Sequence, residues 1–370
     1  MRTRVWIALL VTVPLAALLV SMAATRGYEA LLVLGELVGR PAPAWLDFRP
    51  PPVRHAITYE RDGRRYDADL YEPERRPRAG VVFVPGAVER GKDDPRVVAF
   101  ASTLARSKFA VLVPDVVALR ELRLLPDSAI DIADALAWLR ARPDLAPGGR
   151  LGVLTTSVAI GPAMLAVLDP ASRDVRFFLS IGGYYDLPRT LAYLTTGHYD
   201  AHGVTRRDAP NEYGKWIYAL SNAARLPDAA ERAAFETLAR RKLADPNSDV
   251  SAELGRLGPT SRAAHAYIVN TDPARSRELL EQLPANLRAD VDRLDLAARD
   301  LSQLQAHFIL VHGMDDDLIP YGESIALAAA LPHERTRLFV LSGFRHVEMA
   351  PRLVDGVGLW RAICALLAER

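Results

Sequence analysis

Two rhythms of apolar and polar positions run along most of the chain. Residues 55–60 and 66–71 alternate in strand fashion, and Asp62-Gly63 between them is a two-residue hairpin signal. Short, nearly unbroken apolar runs follow at 80–85, 109–113, 150–155 and 175–181, the pattern of strands buried on both faces. Longer stretches at about 95–107 and 126–142 read as helices between them. The runs return at Phe308–Val311 and Arg335–Leu341, and Val357–Leu367 reads as a closing apolar helix. Alternating strands and helices predict an α/β fold with a mostly parallel central sheet, helices on both faces, and an antiparallel lead-in.

Residues 187–305 break this rhythm. Their pattern is helical throughout, as in Asp228–Leu243 and Arg275–Leu283, and prolines at 210, 227, 246, 259, 273 and 284 divide it into several helices. The segment reads as a helical cap inserted after the sixth strand, lying over the strand ends. Tyr184, Tyr185, Tyr193, Tyr213, Trp216 and Tyr218 gather at its start. They either line a pocket or pack the cap onto the core.

The chemistry centres on Ser157. In Arg150-Leu-Gly-Val-Leu-Thr-Thr-Ser157-Val-Ala-Ile-Gly a strand, a tight turn and a small-residue helix follow one another. A serine at that corner has its hydroxyl pushed out of the backbone at the carboxyl end of a strand. It is also a good helix N-cap position. Two further groups follow in order, each just past a strand. Gly313-Met-Asp-Asp316-Asp-Leu-Ile-Pro320 carries an acid, and Gly343-Phe-Arg-His346 carries a base. Parallel strands deliver such residues to one edge of the sheet.

This constellation resembles the α/β-hydrolase superfamily, nearest its dienelactone-hydrolase and esterase-like branch, over residues 55–186 and 306–370. The resemblance implies a serine hydrolase that cleaves an ester or related acyl bond through an acyl-enzyme, with no metal or cofactor. Ser157 would be the nucleophile, His346 its base and Asp316 the acid that orients the imidazole. Asp315 and Asp317 are one residue out of register and read as loop-capping or solvated. The oxyanion donors would be the backbone N–H of Val158 and, in Val84-Pro85-Gly86-Ala87, that of Ala87. The elbow departs from the family's G-x-S-x-G, with Thr155 and Ala159 at the glycine positions, which either narrows the pocket or marks a non-catalytic binding protein. An acyltransferase or peptidase would use the same triad.

Other motifs compete less well. Asp186 is a fallback acid. His198 and His202 would face one metal ion if the segment were helical, which Gly197 and Gly203 argue against. Lys92 is a solvated turn residue or a contact for an acidic substrate group.

Composition narrows the classes. A net charge of +1 over 370 residues gives no electrostatic basis for nucleic-acid binding. The one cysteine, Cys364, excludes an internal disulfide and a cysteine metal cluster. Nothing in the pattern sets an oligomeric state, and the expected partner is a small acyl substrate.

The amino-terminal pattern stands apart. After Arg2 and Arg4, Val5–Ala24 is about 20 uncharged residues, long enough to cross a bilayer as a helix. Residues 1–25 read as an anchor that holds the catalytic domain outside the cytoplasm, or as a signal segment cleaved near Ser21-Met22-Ala23 to release a secreted protein. Residues 26–54 read as a linker. Its apolar stretch 28–39 either continues the helix or lies on the membrane surface, and a semi-rigid proline-rich stretch follows.

Overall fold

The computed structural model describes residues 23–342, 344–345, 348–349 and 355–370. A helix over 23–37 (α1) comes first. β1 (Val53–Arg61) and β2 (Arg64–Glu72) then pair from Val53↔Glu72 to Arg61↔Arg64. Asp62 and Gly63 both take positive φ, 47° and 75°, as a turn matched to the twist of two antiparallel strands requires.

The alternating part follows as β3 (Ala79–Val84), α2 (Pro95–Arg106), β4 (Phe109–Pro114), the short α3 (Val117–Arg120), α4 (Ser128–Arg140), β5 (Leu151–Thr156), α5 (Ile160–Leu168) and β6 (Phe177–Ile181). The insertion holds α6 (Leu187–Thr196), β7 (His198–Ala201), β8 (Val204–Arg207), α7 (Glu212–Ala223), α8 (Ala229–Ala244), α9 (Ser251–Leu254), α10 (Pro259–Ile268), α11 (Ser276–Glu281) and α12 (Ala285–Leu294). The chain returns through β9 (His307–Gly313), α13 (Gly322–Ala330) and β10 (Thr336–Leu341). Two-residue strands β11 (Phe344–Arg345) and β12 (Glu348–Met349) precede α14 (Asp355–Leu367).

The main sheet has the order β1-β2-β4-β3-β5-β6-β9-β10, and only β2 runs against the other strands. Successive strand residues point to opposite faces. Val82, Leu112, Val153, Phe178 and Leu310 pack with α4, α5 and the inserted helices. Val81, Val111, Leu154, Phe177 and Ile309 pack with α1, α2 and α14. Each such side chain contributes about 1.5–3 kcal/mol by leaving water. Both faces of the inner strands must be covered, so β3 and β4 are buried along their whole length and carry no charged side chain.

The insertion is not helical throughout. Gly197 (φ 76°) ends α6, its N–H reaching Tyr193 O at 2.8 Å, and a β-hairpin follows. His202 (φ 55°) and Gly203 (φ 74°) make its turn. Tyr199 stacks edge-on against Tyr193 and Tyr321, fixing the hairpin to the core side of the cap. The prolines do divide the helices: Pro259 opens α10 and Pro284 immediately precedes α12.

The stretch read as a linker is pinned instead of free. Ala30, Leu32 and Val33 of α1 are buried, Ala30 and Val33 in the layer formed with α2 and α14. In the loop after α1, Arg49 pairs with Glu36 (3.0 Å) and Asp47 (2.8 Å), and Arg106 of α2 reaches the same two carboxylates at 3.1 and 3.0 Å. Two guanidinium forks against two carboxylates satisfy charges that could not otherwise be buried. The anchor or signal reading falls mainly on residues 1–22, outside the described residues. Among the described residues no helix is long and apolar enough to cross a membrane.

Candidate active site

β5 is buried along its whole length and ends at Thr156. A single helical turn, Ser157–Ala159, leads directly into α5. Ser157 has φ 55°, a left-handed conformation that costs an L-residue roughly 1–2 kcal/mol. Such strain persists where the surroundings over-determine it, and it clusters at catalytic sites.

What over-determines it is the loop after β3. A Cβ on Gly86 would lie 2.9 Å from Ser157 Cβ and 3.0 Å from Thr156 O, so only glycine fits. The Gly86 N–H donates to Thr156 Oγ1 at 2.8 Å in a buried contact. That bond takes Gly86's own amide, and Ala87 is the next residue of the loop. Val158 is the second residue of the helical turn, where the first amides lack an intrahelical acceptor. The structure thus brings Ser157, Val158 and the Ala87 loop together. Thr155 and Ala159 are both fully buried, and the tight approach at this corner falls on Gly86.

Asp316 lies in the loop after β9, two strands along from β5. It is buried, whereas Asp315 is exposed and Asp317 half-buried. One Asp316 oxygen accepts from the Leu318 and Ile319 amides at 3.0 and 2.9 Å. The other lies 3.4 Å from Nε2 of His312. His312 is fully buried, its Nε2 donating to Ile319 O (2.9 Å) and its Nδ1 hydrogen-bonded to Ser324 Oγ (2.6 Å). The imidazole therefore braces the loop that presents Asp316.

His346 lies outside the described residues. Its segment is bounded on the near side by β10 and on the far side by α14, whose Asp355 accepts from both the N–H and the hydroxyl of Ser342 at 2.8 and 2.7 Å. β11, just before His346, lies alongside β9.

Several residues lacked a usable sequence signal. Thr156 and His312 sit in apolar strand runs and read as filler. Glu323, at the start of α13, is almost fully buried and accepts from the Tyr185 and Asp186 amides at 3.0 and 2.7 Å, with Arg189 at 3.3 Å. Burial holds its carboxyl above the ordinary range, against those hydrogen bonds and that charge. Its role is to tie α13 to the corner after β6.

The competing motifs resolve structurally. The Asp186 carboxylate caps α6 through the Arg189 amide at 2.9 Å. Lys92 is turned inward, 3.4 Å from both oxygens of buried Asp69. His198 begins β7 and His202 sits in the hairpin turn, so the helical spacing that would face both imidazoles to one ion does not form. Of the aromatic group, Tyr184, Tyr193 and Trp216 are buried packing residues. Tyr213 is exposed and lines a cleft of about 320 Å³ with Glu89, Leu122, Ile217, Leu220 and Arg240. That cleft begins three residues past Gly86. Its far wall, α7, meets the acid loop where the Asn211 amide donates to Asp317 O at 2.8 Å.

No protein-family model and no curated protein matches this sequence. Solved structures do. A Legionella pneumophila protein described as a hydrolase is similar at 12% identity and a TM-score of 0.55, over 92% of this chain and 94% of that one. An esterase of Pyrobaculum calidifontis gives 15% identity and a TM-score of 0.47, over 94% and 91%. A Bacteroides ovatus protein described as a dipeptidyl aminopeptidase IV gives 13% and 0.47, and there this chain spans only 36% of the other's length. The likeness to the Legionella protein shows the fold, an α/β-hydrolase fold, and the other structural neighbours include esterases and peptidases.

Proposed function

We propose that this α/β-hydrolase-fold chain is a serine hydrolase that cleaves an ester or related acyl bond. The observation that carries the reading is the strained Ser157 at the β5–α5 corner, with Gly86 packed against it and fastened through Thr156. A working hydrolase needs such a corner, whereas a helix cap does not need positive φ.

In this reading His346 takes the Ser157 proton as Oγ attacks the acyl carbon, then gives that proton to the leaving group. Asp316 holds the imidazole in the required tautomer and stabilises its cation. The Ala87 and Val158 amides receive the developing oxyanion. Water, activated by the same histidine, releases the acid and restores the serine. The acyl or alcohol portion of the substrate lies in the cleft beside Tyr213. Its walls are apolar at Leu122, Ile217 and Leu220, and Glu89 and Arg240 add one charge of each sign. We further propose that residues 1–25 hold the chain at a membrane with this domain outside the cytoplasm.

The test is covalent labelling of the full chain with a fluorophosphonate. Labelling of wild type that is lost in both Ser157→Ala and His346→Ala supports the triad. A folded wild type that does not label overturns it, in favour of a binding protein on this fold.

A further inference from the structure

The loop 38–52 is built inside out. Asp47 and Arg49 are charged, yet their side chains are only 5% and 7% exposed. Phe48 between them is 80% exposed, and Trp45 is 70% exposed. Water favours the opposite arrangement, because leaving aromatic surface wet while withdrawing ions costs free energy on both counts. The loop does not relax, because Glu36, Asp47, Arg49 and Arg106 lock it. Tyr28 of α1 donates its hydroxyl to Leu46 O at 2.5 Å, so α1 and the loop present one surface. On that surface Tyr28 and Leu31, one turn apart on α1, are also exposed.

From this clamped aromatic face we infer a membrane-docking surface: Trp45, Phe48, Tyr28 and Leu31 seat in the interfacial layer of a lipid bilayer. The occupant is fixed by what precedes the face. In the sequence the uncharged run Val5–Ala24 reaches the first residues of α1 (23–37). A chain inserted through that run delivers α1 and its loop to the headgroup level, where aromatic rings with one polar edge are most stable. Arg40, exposed at the start of the loop, suits anionic headgroups. The inference rests on the proposed amino-terminal anchor and is independent of the serine chemistry.

The test places nitroxide labels on the full chain in vesicles of mixed neutral and anionic phospholipid. With Cys364→Ala as background, cysteine replaces Trp45, Phe48 or, as a control on the cap, exposed Asn247. These sites are exposed, so the substitutions do not threaten the core. The expected result is that labels at 45 and 48 collide severalfold more with dissolved oxygen than with a water-soluble nickel chelate. The label at 247 should show the reverse. Labels at 45 and 48 that behave like 247 overturn the proposal. So do labels shielded from both reagents, which would mean a second copy or another protein covers the face. A chain that stays in the supernatant overturns it together with the anchor, whereas fluorophosphonate labelling reports separately on the hydrolase reading.

Discussion

The Gly86 amide donates to the Thr156 hydroxyl at 2.8 Å, joining the loop after β3 to the residue before the candidate nucleophile. Thr156→Val keeps the shape and removes the acceptor. A buried amide left unpaired costs about 1–3 kcal/mol. The expected outcome is a loss of stability of that size and roughly tenfold slower fluorophosphonate labelling, the kinetic equivalent of about 1.4 kcal/mol. Thr156→Ser should restore both. Equal labelling rates in wild type and Thr156→Val would show that the bond does not position the oxyanion donors.

Gly86→Ala tests the same corner sterically. The new methyl would meet Ser157 Cβ at 2.9 Å and the Thr156 carbonyl at 3.0 Å, and neither is the far end of a flexible side chain. Backbone must move, at a cost of about 1–3 kcal/mol. A folded Gly86→Ala protein should lose most labelling although all three proposed triad members remain. Circular dichroism and labelling on one sample separate the two effects.

Ser157 carries its strain in the backbone, so glycine and alanine should differ there. Both remove the nucleophile. At φ 55° alanine keeps the left-handed penalty, whereas glycine escapes it at a smaller cost in unfolded-state entropy. Ser157→Gly should therefore be more stable than Ser157→Ala by about 0.5–1 kcal/mol, the reverse of the order in a strand or helix. Denaturant midpoints for the two variants check the sign.

Acid should release the loop after α1. The Asp47 carboxyl is held below its ordinary value, chiefly by hydrogen bonds from the Arg49 side chain, with burial opposing. A lowered carboxyl contributes stability that is complete above the unfolded value, about 3.9. That stability is lost as pH falls through the folded value. Amide hydrogen exchange in residues 40–52, corrected for its intrinsic pH dependence, should lose protection on acidification in wild type. Asp47→Asn should lack that protection already at neutral pH. Unchanged protection in the variant would show that packing, not the charge cluster, holds the loop.

The sheet was legible because a strand buried on both faces leaves an apolar run that few other structures need. Ser157 and Asp316 were legible because each follows such a run at a break. The hairpin at residues 198–207 was not, since its strands are four residues each and its aromatic contacts come from α6 and α13. Nor was the docking of α1. Apolar residues at helical spacing look the same whether they face a bilayer or α14, and the ions that decide it, Glu36 and Arg106, are 70 positions apart. The close approach of Gly86, from the loop after β3, to Ser157 was not legible either, because no local motif records it.

The packing of α1 also sets an order of events. Trp360 Nε1 donates to Gly27 O at 2.9 Å, and Arg370 pairs with Glu29, across 333 and 341 positions of chain. Contacts of such separation close the largest loops and form late. During synthesis α1 emerges before α2 and long before α14, the two helices of the layer that shelters it. Its apolar face therefore lacks its full cover until α14 has left the ribosome.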